Sequence, residues 1–262
     1  MNDGLINVEW LNVIIGLGLV AVAIGLVYYQ GIGIEKDLIV GVIRSVLQLA
    51  ILGWILLYVF SISSVWWIVL ILLVMALIGA YTAKSRLKRP YPGAVPVLWF
   101  SITAGSFFAL AYITILAFSD PVALTPRYLI PLGGMAIGNV LNGITLAGER
   151  FHRELKSQRD KIEVLLSLGA DSSRAAAESF RNAFAAALIP TLNALAVIGL
   201  IQIPGVMVGL VMTNQDPQVA ARYQLIIMFM LVSAKIITVT LGLRMSLKKY
   251  FTSEHQLRSE LL

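Results

Sequence analysis

Seven apolar runs, each about long enough to cross a lipid bilayer, succeed one another along the chain, and this leaves few folds open. The runs are Val8–Tyr29, Leu38–Phe60, Val65–Ala83, Val97–Phe118, Tyr128–Gly148, Pro190–Met212 and Tyr223–Leu243. Hydrocarbon offers no water to a peptide group, so each run must satisfy its own backbone, and a run of this length does so as a helix. The expected fold class is therefore all-α, a polytopic integral membrane protein with about seven transmembrane helices. Composition agrees: 58% of residues are hydrophobic and 13% charged, against about 25% charged in a soluble domain. The first run lacks the basic start of a cleaved signal and is expected to stay as a helix. A single transmembrane domain over 1–262 follows, because no polar segment is long enough for a second one. The chain has no cysteine, so neither disulfides nor thiolate metal sites are available.

Cations set the expected orientation. Lys36, the loop Lys84 to Arg89, the stretch Arg150 to Arg181, and Arg244, Lys248, Lys249 and Arg258 all fall on one side. Only Arg127 and Arg222 fall on the other. The positive-inside tendency places the richer side in the cytoplasm, with the N-terminus outside and the C-terminus inside a cell membrane, inner or plasma. The same distribution accounts for the net charge of +6 without nucleic acid as a partner.

Between the fifth and sixth runs lies the longest polar stretch, 149–190, which reads as a cytoplasmic helical hairpin. In Glu149–Leu168 the residues Phe151, Leu155, Ile162, Leu165 and Leu166 recur at helical spacing, giving an amphipathic support helix. Gly169 suits the left-handed position after a helix end, and Asp171 or Ser172 can accept from the free amides of a new helix. That helix, Ser172–Ala187, is rich in alanine, which allows close approach by another surface. Pro190, at the entry to the sixth run, lacks a backbone donor and is a candidate hinge. Such a hairpin suits either anionic lipid headgroups or a docked protein.

The segment Glu163 to Gly169 with Ala170 resembles the cytoplasmic loop by which bacterial ABC importer permeases dock on their ATPase. Pro190, however, follows Gly169 by roughly two more helical turns than in those importers. A closer resemblance covers nearly the whole chain and is to the FetB-type iron-export permeases and plant permeases linked to aluminium tolerance. It is carried by Glu35-Lys36-Asp37 with Arg44 and Gln48; by Pro131, Gly134-Met135 and Gly138-Asn139; by Ser167 to Ala170; and by Leu188 to Thr191. It continues through Leu200, Pro204-Gly205, Met207, Gly209, Asp216-Pro217, Tyr223-Gln224 and Phe229 to Leu231. The resemblance implies the transmembrane subunit of an exporter of iron or another metal, working as a homodimer on a separate ATPase. Glu163, Gly169, Ala170, Asp171, Arg174 and Arg181 would then couple to that ATPase. The chain has no phosphate-binding loop of its own. It is thus expected not to be an enzyme and to bind no cofactor, with ATP and Mg on the partner.

Polar residues within the runs are the candidate pathway, since each is costly in hydrocarbon unless paired or wetted. Arg44 and Gln48 share a face of the second run, although Arg44 also suits snorkelling toward the headgroups. Lys235 lies near the middle of the seventh run, where snorkelling is harder. Asn139 and Asn142 share a face with Met135, and Asn193 and Gln202 are placed to oppose them. Pro131, Gly134 and Gly138, like Pro204, Gly205 and Gly209, form proline-led Gly-x-x-x-Gly stretches suited to close helix packing. No carboxylate lies deep in any run, and both histidines lie in cytoplasmic segments. Met135, Met207, amides and carbonyls are what remains for a metal, and no ligand set can be named.

Two other functions fit a chain of this class. An ion-coupled secondary transporter would want buried acids that gain and lose a proton, and these are missing. A non-transporting scaffold or sensor would use the hairpin to recruit a partner.

Overall fold

The computed structural model describes residues 8–61 and 64–262. The expected turn Ser61–Ser64 therefore falls partly on residues outside the described ones. Helices α1 (Trp10–Tyr29), α2 (Glu35–Val59), α3 (Val65–Arg86) and α4 (Ala94–Ala111) come first, and a π-helical turn, Tyr112–Ala117, extends α4. After a short 3-10 turn, Pro121–Leu124, come α5 (Pro126–Ser157), α6 (Arg159–Ser167), α7 (Ser172–Ala175) and α8 (Ala177–Val197). Helices α9 (Gly205–Met212) and α10 (Pro217–Tyr250) complete the chain with a 3-10 turn at Ser259–Leu261. Among the described residues, seven helices are long and apolar enough to cross a membrane: α1 to α3, α4 with its π turn, α5, α8 and α10.

The starts of α5 and α10 are written locally. Pro126 and Pro217 stand in their first turns, where a missing donor costs nothing. Asp216 accepts from the Gln218 amide at 2.7 Å, which caps α10.

Helices α3, α4, α5, α8 and α10 form the packed bundle, with α10 against α4 and α5, and α5 also against α3 and α8. Lipid tails are as apolar as leucine, so helices in a membrane gain from close fit rather than from leaving water. Small residues supply that fit. A Cβ at Gly105 would overlap Thr238 and lie 2.7 Å from the Ala234 carbonyl oxygen, so α4 touches α10 backbone to backbone. Gly133 similarly receives Leu72, and Gly242 receives Ile144. On α8 the buried residues are Ser179, Ala183, Ala187 and Thr191, one every fourth position, and they form a low ridge toward the bundle. The small face expected to admit a foreign surface is thus used internally. Helices α1 and α2 pack on each other and bury no residue, and only Leu56 and Val59 reach the core.

Three expectations need correction. The second hairpin helix is not continuous over Ser172–Ala187, because it is divided at Ala176 into α7 and α8. The sixth run, Pro190–Met212, is not one helix. Helix α8 carries Pro190 within it to Val197, the chain unwinds over 198–204, and α9 resumes at Gly205. Gly199, at φ 76°, turns the chain, and its amide donates to the Gln202 carbonyl at 3.0 Å. The fifth run does not end at Gly148, because α5 continues to Ser157 and takes in the first part of the expected support helix, whose remainder is α6.

Candidate coupling hairpin and membrane pathway

At the end of α5 that leads into the hairpin, the helix is held to its neighbours by aromatic and ionic contacts. Phe151 lies edge-on to Phe180 at 6.5 Å and to Tyr250 at 5.9 Å, which ties α5 to α8 and α10. Tyr250 meets Tyr91 at 5.6 Å, and the Tyr91 hydroxyl bonds Ser246 Oγ at 2.7 Å. Burial pushes the Tyr91 phenol above its ordinary pKa, which keeps it neutral. Glu154, 8% exposed, pairs with Arg150 at 2.7 Å and accepts from Gln158 at 2.8 Å and from Asn182 of α8 at 3.1 Å. A carboxylate so surrounded is a cross-brace between α5 and α8. Lys161 of α6 meets Glu178 of α8 at 2.5 Å, which adds a second, exposed tie.

The turn after α6 takes the expected form. Gly169 is left-handed at φ 88°, and the Gly169 and Ala170 amides bond back to Leu166 and Leu165. Asp171 Oδ1 accepts from the Arg174 amide at 2.8 Å. The Ser172 amide and hydroxyl instead meet His255 Nδ1, at 3.2 and 3.1 Å, which fastens the hairpin to the segment after α10. Glu163 is bonded to Arg159 at 2.7 Å, while Val164, Leu168, Gly169 and Arg174 are exposed around the tip.

Within the bundle, Lys235 is 5% exposed and its Nζ donates to Thr191 Oγ1 at 2.5 Å. No carboxylate among the described residues pairs with it. Its methylenes cross Gly143, where a Cβ would lie 2.9 Å from Lys235 Cγ. Asn139 Oδ1 is buried with no hydrogen-bond partner, whereas Asn142 is exposed and accepts from Arg86 at 3.4 Å. Asn193 and Gln202 are exposed near the unwound segment, where Leu200 is 86% and Ile201 82% exposed. Toward the other side, a cavity of about 440 Å3 lies between α5, α9 and α10. Arg127, Tyr128, Pro131, Met135, Leu210 and Tyr223 are among its walls.

The family described as "Uncharacterised protein family (UPF0014)" matches residues 10–251. This chain belongs to the UPF0014 family. It is 34% identical to the UPF0014 membrane protein slr1647 of Synechocystis, over 98% of both chains. It is 31% identical to the "Probable iron export permease protein FetB" of Escherichia coli, over 96% of this chain and 95% of that one. It is 30% identical to "Protein ALUMINUM SENSITIVE 3" of Arabidopsis thaliana, over 96% and 93%. No solved structure matches it.

As a UPF0014 membrane protein, the chain distributes its candidate residues over three places. Gly169, Ala170 and Asp171 form the hairpin turn with Arg174 on α7, while Arg181 stands exposed farther along α8. Met135 and Pro131 line the outer cavity, while Met207 lies part-buried on α9 beside it. Arg44 and Gln48 are exposed on α2, away from the other polar residues of the bundle. No hydrogen bond among the described residues joins Asn139, Asn142, Asn193 and Gln202 to one another. Of the packing glycines, a Cβ added at Gly134 would lie 3.2 Å from Met75 Cε, but one added at Gly138, Gly205 or Gly209 would meet nothing within 4 Å. The residues that sequence reasoning passed over are Gly143, Thr191, Glu154 and Asn182. Only Gly143 had a sequence signal, a glycine one position from Asn142 inside an apolar run.

Proposed function

We propose that this UPF0014 protein is the transmembrane subunit of an ATP-driven export system, docking on a separate ATPase through the hairpin tip around Gly169. One observation carries the reading: α8 runs as a single helix from just beyond that tip to Val197, at the edge of the unwound segment in the membrane. Movement imposed at Arg181, on α8 itself, therefore reaches the break without an intervening joint. In hydrocarbon an unwound segment needs protein or water around it. The free carbonyls of 198–204, with Asn193 and Gln202, are thus the polar groups best placed to line a path. Two copies would enclose that path, and ATP and Mg belong to the partner.

An iron or other metal cargo is the reading the FetB name supports. Among the described residues no three His, Cys, Asp or Glu side chains gather to hold a metal. The cargo therefore meets weak donors, carbonyl and amide oxygens and the thioether of Met135, which suits passage rather than storage. The test is uptake into inverted vesicles with the partner ATPase, comparing iron, other metals and organic solutes. Nucleotide-dependent uptake of a metal is the expected result. Transport by the purified chain alone, driven by an ion gradient, would overturn the proposal.

A further inference from the structure

A second cavity, of about 920 Å3, opens between the hairpin and the chain that follows α10. One part of its wall is apolar, from Ala177, Phe180, Leu247 and Phe251. The other is cationic, from Arg244, Lys248 and Arg258, all exposed. None of these three cations forms an ion pair among the described residues, although four other Lys or Arg side chains on this side of the protein do. Of the acids beside Arg258 in sequence, neither Glu254 nor Glu260 forms an ion pair among the described residues, and Glu254 accepts from Ser253 Oγ at 2.5 Å. The cavity therefore combines three cations that no ion pair engages with an apolar wall.

Depth identifies the occupant. Lys235 lies near the middle of the apolar run, and Arg244 and Lys248 follow it on the same helix by about 14 and about 20 Å of rise. Half the hydrocarbon thickness is about 15 Å, so these cations stand at the level of the lipid phosphates. We infer that this cavity binds the headgroup of an anionic phospholipid, its phosphate held by Arg244, Lys248 and Arg258 and its glycerol end against Phe180 and Leu247. His255 lines the same cavity while fastening Ser172, so a bound lipid lies against the joint between hairpin and α10. The inference stands without the exporter reading, because it uses only charge, depth and shape.

The experiment is native mass spectrometry of the full chain released from mixed phosphatidylglycerol and phosphatidylcholine micelles. Thermal unfolding in each lipid is measured alongside. The wild type should retain phosphatidylglycerol at least tenfold over phosphatidylcholine. Replacing Arg244, Lys248 and Arg258 with Gln should bring that preference within twofold. Replacing Lys84, Arg153 and Lys156 with Gln, an equal loss of charge on the same side away from the cavity, should leave it intact. Ala177→Trp, which fills the cavity and keeps the charge, should also abolish the preference and guards against a triple variant that does not fold. Equal loss in the control variant would overturn the inference. So would displacement of the lipid by millimolar inorganic phosphate, which means a free-anion site. Unchanged lipid retention in both cavity variants, with loss of binding to a partner protein instead, would show a protein-docking surface and overturn it as well.

Discussion

Lys235 and Thr191 meet inside the bundle, ammonium to hydroxyl at 2.5 Å, and join α10 to α8 far from any carboxylate. A hydrogen bond from a charged donor contributes about 1.5–3 kcal/mol, and removing its acceptor leaves the donor buried and unpaired. Thr191→Val, which keeps the shape, should lower stability by about that amount. Lys235→Met removes the charge and the demand together and should leave the melting temperature near wild type. Thermal unfolding in detergent separates the two variants, and equal losses would deny the pairing any role.

Close packing around Lys235 makes a second prediction. Gly143→Ala should cost about 1–3 kcal/mol by crowding the lysine stem, and the cost should largely vanish in a Lys235→Ala background. A double-mutant cycle measures this as an interaction energy. Gly105→Ala should be worse and without rescue at Lys235, because it meets the Ala234 carbonyl, which cannot step aside.

At Gly169 the strain of a side chain is in the backbone alone, since nothing lies within 4 Å of an added Cβ. Gly169→Ala should cost about 1–2 kcal/mol of hairpin geometry and reduce stimulation of the partner ATPase. Gly169→Asn, which tolerates the left-handed region, should retain more of it. If asparagine is as damaging as alanine, the tip makes a steric contact there and conformation is not the cause.

Asn182→Leu deprives the Glu154 carboxylate of its only bond from α8. We expect a loss of about 1.5–3 kcal/mol together with faster hydrogen exchange at the start of α8. Equal exchange in variant and wild type would place the brace elsewhere.

The apolar runs, the basic loops and the hairpin turn were legible in the sequence because each rests on local chemistry. The spans follow from length, and the turn from Gly169 and Asp171. The break at 198–204 was not, because Ile198-Gly-Leu-Ile-Gln-Ile203 is as apolar as a helix, and Gly199 resembles a packing glycine until its φ is known. Pro190 drew attention as a joint, yet α8 absorbs it. Glu154 belongs by spacing to a surface pair with Arg150, and its burial depends on Asn182, far along the chain. Lys235 was visible as an oddity, but its partner, Thr191, comes from another helix, and nothing local pairs the two.

Thr191 is also the last buried residue of α8. Beyond it the helix overhangs by six residues, about 9 Å, before the chain unwinds. The α8 of this membrane protein is thus a cantilever, clamped along the length nearer the hairpin by the ridge of Ser179, Ala183, Ala187 and Thr191 and free at the end that carries the break. The clamp's outermost bolt is the bond to Lys235, so the stiffness of that free end depends on one hydroxyl.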